Sequence, residues 1–164
     1  MDDQIETVLE MVRKGKRVQM VFHKMSEEDV SFIMQYPYTM IASDAGIPQF
    51  GSRVPHPRAY GTNSRVLGKY VRQEGILSLE EGIRKMTHLP ASHFAITDRG
   101  LIKKGMKADL VVFDPKEIID RATFESPHAH AQGIHYVFVN GKLAIKNGNQ
   151  THMRSGQVIR HGSR

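Results

Sequence analysis

The chain of 164 residues has no cysteine and no tryptophan, and only 7% of it is aromatic. The missing cysteine excludes a disulfide framework, a thiolate nucleophile and a thiolate metal ligand, and it fits a reducing compartment. No apolar run approaches the ~20 residues of a membrane helix, so no membrane role is expected. The opening Met1-Asp2-Asp3 is acidic and leads into no apolar signal core, so a cytoplasmic location is expected. The formal charge is +6 and the pI near 9.7, yet only "VRKGKR" (12–17) and "KKGMK" (103–107) cluster basic residues. Dispersed charge with few aromatics points to a solvated surface, and no nucleic-acid partner is expected.

What is present is 40% hydrophobic and 24% charged, the balance of a packed domain. Residues 3–14 place Ile5, Val8, Leu9 and Val12 on one helical face. "RVQMVF" (17–22) reads as a strand. Ser26 and Asp29 then form a capping-box-like start for a helix with Val30, Ile33 and Met34 inward, which ends before Pro37. "YTMIAS" (38–43) reads as the next strand. The alternation helix, strand, helix, strand predicts parallel pairing, and both strands are apolar on both faces, as in a sheet covered on each side.

Asp44 follows that second strand directly, a single carboxylate before Ala45-Gly46. Residues 44–62 then read as a long Gly-, Pro- and Arg-rich loop, a length that usually carries function. Helices are expected over 63–74 and from Ser78, with Glu81 completing its capping box, to about Thr87. "LPASHFAI" adds a short helix. Beyond residue 100 the pattern turns to β: a strand at 109–113, a hairpin turning on Asn140-Gly141, and a last strand at 156–160.

The stretches "MIASDAG", "HPRAYGTNSRVLGKYVRQEGILSLEEGIRKMTHLPASHFAITDRGLIKKGMKADLVVFDP" and "GIHYVFVNGKLA" together resemble the C-terminal part of the N-acyl-D-amino-acid deacylases (D-aminoacylases) of the amidohydrolase superfamily. The resemblance implies an α/β fold: the C-terminal portion of a metal-dependent (β/α)8 barrel, its last two strand–helix units in residues 1–99, followed by part of a small β-sandwich in 100–164. It implies zinc-dependent hydrolysis of the amide of small N-acyl-D-amino acids. Asp44 would be the metal-facing carboxylate that moves the proton, at the C-terminal strand end where barrel chemistry sits. Arg58 is expected to grip the substrate carboxylate, with His56 and His23 lining the pocket.

A full barrel takes about 250 residues, so this chain is expected to be a fragment, inactive alone and with its zinc site incomplete. Its partner would be a missing N-terminal half, or a second copy. The "HAH" pair, His128 and His130, has zinc-like spacing but follows "FESP" rather than an apolar strand, and reads as a solvated loop pair. Two other readings stay open: a dihydroorotase- or hydantoinase-like cyclic amidohydrolase, and a non-catalytic remnant serving as an assembly module.

Overall fold

The computed structural model describes residues 3–15 and 24–160. The strand expected at 17–22 and the pocket residue His23 lie outside the described residues.

Helix α1, Gln4–Arg13, starts where the Asp3 carboxylate accepts from the Ile5 N–H. Its apolar stripe is the expected one, but Ile5, Val8, Leu9 and Val12 are all exposed. Helix α2, Glu27–Gln35, is capped by Ser26 accepting from Asp29 N at 3.0 Å, and three acidic residues in its first turn suit the helix dipole. It ends at Tyr36, before Pro37.

The expected strand at 38–43 does not form. Residues 39–49 run in no regular element. A strand exists only as a member of a ladder, and among the described residues no strand lies beside this segment. Hydrogen bonds to helices tie it down instead, among them Ile41 N to the Lys85 carbonyl at 3.1 Å and Thr39 Oγ1 to the Ile33 carbonyl at 2.8 Å.

The expected loop also ends sooner than its composition suggested. Helix α3, Arg58–Arg65, begins straight after Pro57, whose ring pre-sets a helical φ. At Val66 the winding widens into a π-helix, Val66–Gln73, closed by Glu74 N donating to the Lys69 carbonyl. Gly68 lies against the next segment, where a Cβ would stand 2.6 Å from the Ile118 carbonyl oxygen. Helix α4, Leu79–Met86, has the expected Ser78 cap, and α5, His88–His93, follows.

The back of the chain is a four-stranded antiparallel meander: β1 Leu110–Phe113, β2 Ile134–Val139, β3 Lys142–Lys146 and β4 Asn149–Gln150. Asn140 and Gly141 both take positive φ in the β2–β3 turn, the geometry a two-residue hairpin demands. Asp109 anchors that turn by accepting from Asn140 N at 2.7 Å and pairing with Arg99. The last expected strand, 156–160, is absent. Side chains hold the tail instead: Ser155 Oγ donates to the Val139 carbonyl, and Asn140 Nδ2 to that of Ser155. Among the described residues this is one sheet rather than a sandwich, and no barrel strand is found.

A small core of Met34, Tyr70 and Leu77 joins α2 to the π-helix, with Val30, Ile41, Val71 and Ile76 around it. Its rim is polar. Glu27 accepts from Lys69 Nζ at 2.7 Å and from the Tyr70 hydroxyl at 2.9 Å. The Lys69 hydrogen bond holds the Glu27 carboxyl below its ordinary range, against a smaller opposing effect of burial. Burial and the Glu27 contact together push the Tyr70 phenol up.

Candidate active site

Three of the four expected site residues fall in one loop. Asp44 sits at the end of the 39–44 run with φ +47°, a left-handed conformation that costs a non-glycine residue energy and concentrates at functional sites. Its Oδ2 lies 3.1 Å from Nη2 of Arg58, the first residue of α3. The Asp44 side chain is 86% exposed and that of Arg58 44%, so the pair is worth at most about 1 kcal/mol and exchanges readily for another carboxylate. His56 is placed by its own chain: its Nδ1 accepts from Arg58 N at 3.1 Å, and its ring meets Phe124 edge-on at 5.0 Å.

The approach to Asp44 is fixed from beneath. Lys85 on α4 is fully buried, and its Nζ donates to the Tyr36 carbonyl at 2.5 Å and the Thr39 carbonyl at 3.3 Å, with Glu81 at 3.5 Å. A buried ammonium needs such partners. Beside it, Arg84 Nη2 donates to the Pro37 carbonyl, and its guanidinium holds Glu81 below the usual carboxylate range. Sequence reading passed over Lys85; its signal was a cation at the position where α4 turns inward.

The His128–His130 pair lies in a loop, as expected, and His130 is exposed, but His128 is half-buried and hydrogen-bonded. His128 Nδ1 accepts from Gly51 N at 3.2 Å and lies 3.0 Å from the Tyr60 hydroxyl, while Nε2 lies 3.0 Å from the Arg53 carbonyl. An amide N–H can only donate and a carbonyl only accept, so the ring carries its proton on Nε2. Phe50 stacks on His130 at 5.0 Å, and Tyr60 meets both imidazoles edge-on. The segment after Phe124 thus lies across the loop that holds Asp44 and Arg58.

A zinc ion asks for about four ligands. Asp44 offers one carboxylate, already paired with Arg58, and both nitrogens of His128 are engaged. Among the described residues no group of three His, Asp or Glu side chains could hold a metal. The described residues therefore do not fit a zinc ion by themselves.

The chain belongs to the amidohydrolase family, whose family model matches residues 34–145. It is 44% identical over 142 residues to an N-acyl-D-aspartate deacylase of Alcaligenes xylosoxydans xylosoxydans, covering 87% of this chain and 28% of that one. The D-aminoacylase of the same organism is 44% identical over 139 residues, covering 85% of this chain and 28% of the relative. A dihydroorotase of Lactobacillus acidophilus is 26% identical over 100 residues, covering 53% of this chain and 23% of the relative.

Among solved structures, a D-aminoacylase with a binuclear metal center superposes with TM-score 0.77 at 45% identity, over 82% of this chain and 28% of the other. The N-acyl-D-glutamate deacylase of Bordetella bronchiseptica, complexed with zinc and a phosphonate inhibitor, gives 0.74 at 41%, over 83% and 28%. This chain spans little more than a quarter of the length of the deacylases it matches.

Proposed function

We propose that this chain is the C-terminal portion of an N-acyl-D-amino-acid deacylase, carrying part of the active site and dependent on the rest of a barrel for turnover. Residues 1–99 would complete the barrel and 100–164 the small β unit. The observation that carries the reading is the Asp44–Arg58 pair at 3.1 Å, in a chain 44% identical to an N-acyl-D-aspartate deacylase and to a D-aminoacylase. The alternative class, cyclic amidohydrolases, has the weaker likeness, 26% over 100 residues to a dihydroorotase.

In the reaction, water adds to the amide carbonyl carbon and the C–N bond breaks. The Asp44 carboxylate takes the proton that water sheds and returns it to the departing nitrogen, leaving a free carboxylate and an amine. Arg58 exchanges Asp44 for the substrate carboxylate, which brings the substrate in and frees the Asp44 oxygens in one movement. The zinc ligands of the family have to come from outside the described residues, and small N-acyl amino acids are the expected partners, in the cytoplasm.

The test is hydrolysis of N-acetyl-D-amino acids with zinc, by the chain alone and mixed with the remaining N-terminal part of a deacylase relative. The chain alone is expected to be silent and the mixture active. In the mixture Asp44→Asn is expected to lower kcat by about a hundredfold or more. Robust turnover by the isolated chain would sink the incomplete-site reading, and hydrolysis of dihydroorotate in preference to N-acyl-D-amino acids would favour the cyclic class.

A further inference from the structure

We propose that His128 is a positioning residue for the substrate loop: through its two ring nitrogens it sets the backbone that carries His56 and Arg58, the partner of Asp44. The role attributed to that loop rests on the deacylase reading; the clamp itself rests on geometry alone.

Between Asp44 and Arg58 the chain has thirteen residues and no regular element. A segment of that kind populates many conformations unless something outside it holds it. Asp44 at its head and Arg53 within it, neither a glycine, have positive φ, at 47° and 61°. Positive φ is unfavourable for both and persists only when surrounding contacts over-determine it. At Arg53 that contact is visible, because its carbonyl is the acceptor for His128 Nε2. Two residues earlier, Gly51 has φ +77° and its N–H is aimed at His128 Nδ1. One imidazole therefore grips the loop at a donor and an acceptor two residues apart.

The grip extends to the helix that presents the arginine. The Tyr60 hydroxyl meets the same Nδ1, and Tyr60 lies two residues beyond Arg58 in the first turn of α3. His128 thus bridges the loop tip and the helix start, the two ends between which His56 and Arg58 are held. Phe50 and His130 close the cluster as stacked rings. Residue 128 lies in the connection leading to β2, so the β unit is wired to the placement of the Asp44–Arg58 pair.

Hydrogen exchange and imidazole NMR on the 164-residue chain test this without any catalysis. In the native protein 15N shifts are expected to show His128 with an unprotonated Nδ1 and a protonated Nε2; a mixture of tautomers would overturn the clamp. His128→Phe keeps the ring stacking and removes both polar contacts. It is expected to speed exchange of the Gly51 amide about tenfold, the ordinary worth of one hydrogen bond. It is also expected to speed exchange of the Arg58 amide severalfold, while amides of the β2–β3 hairpin stay unchanged. His128→Asn, which keeps an acceptor near Nδ1, is expected to restore most of the Gly51 protection.

Unchanged Gly51 exchange in His128→Phe would reduce His128 to packing. Faster Gly51 exchange with unaltered Arg58 exchange would make it a local tether and overturn the positioning role. If His128→Phe fails to fold, the native tautomer and the His128→Asn exchange pattern still decide. In the reconstituted enzyme His128→Phe is expected to raise KM severalfold with a smaller change in kcat. Failure of reconstitution would count against the deacylase reading and leave the exchange result standing.

Discussion

The chain before Pro57 and the chain after it are built on different terms. After Pro57 the elements satisfy one another: π-helix against the 118–120 segment, Arg99 on Asp109 and Asn140, four strands in consecutive register. Before it, apolar side chains face outward: the stripe of α1, Phe32 and Ile33 on α2, and Ile47 beyond Asp44. The later region holds more of its partners within itself, although Ile102, Val111 and Val158 are exposed there too. The earlier one is held mainly where the later region reaches into it through Lys85, Lys69 and His128. The candidate site lies on that seam.

The sharpest way to break the contrast is to remove a strut. Lys85→Met keeps the volume but removes the buried ammonium's bonds to the Tyr36 and Thr39 carbonyls, of which the first keeps Thr39 N as a donor. It is expected to destabilise the chain by about 3 kcal/mol, read from urea unfolding. Gly133→Ala strikes the later region instead. At φ +83°, with a new Cβ 2.5 Å from Ile118 N, it is expected to cost about 2 kcal/mol and to lower the thermal midpoint of the sheet.

Acid should act on the seam. The Glu27 carboxyl is held below its ordinary value of 4.5, so its contribution is present above about pH 4.5 and is lost as pH falls through the depressed value. Because Glu27 is half exposed, the loss is expected to stay under about 1 kcal/mol, and Glu27→Gln should flatten that part of the stability–pH curve. The smallest effect is expected at the open face. Phe32→Ser should change stability by less than about 0.5 kcal/mol while reducing self-association in sedimentation, because Phe32 packs on little in the chain itself.

The same contrast explains what could be read from the sequence. Caps and hairpins carry their partners within a few residues, so Ser26, Ser78 and Asn140-Gly141 were legible and form as expected. "YTMIAS" has the composition of a strand, but composition does not supply a neighbour, and the segment stays outside any ladder. Asp44 and Arg58 were legible as candidates, and the structure brings them together. The role of His128 was not, since its partners Gly51 and Arg53 lie 77 and 75 residues away and the pair read as solvated loop histidines.

One feature of the helical region sets a rule about chain length. In the wide winding of Val66–Gln73, Lys69 and Tyr70 reach Glu27 on one side while Arg72 reaches the Ile118 carbonyl on the other. Deleting one residue there would let the segment tighten into an α-helix at about 100° per residue, shifting the positions of Lys69, Tyr70 and Arg72 relative to one another. Either the Glu27 contacts or the Ile118 contact would then be lost. The number of residues between Arg65 and Glu74 is therefore as constrained as their identity, and lineages that kept this seam should tolerate exchanges within the segment far better than gaps.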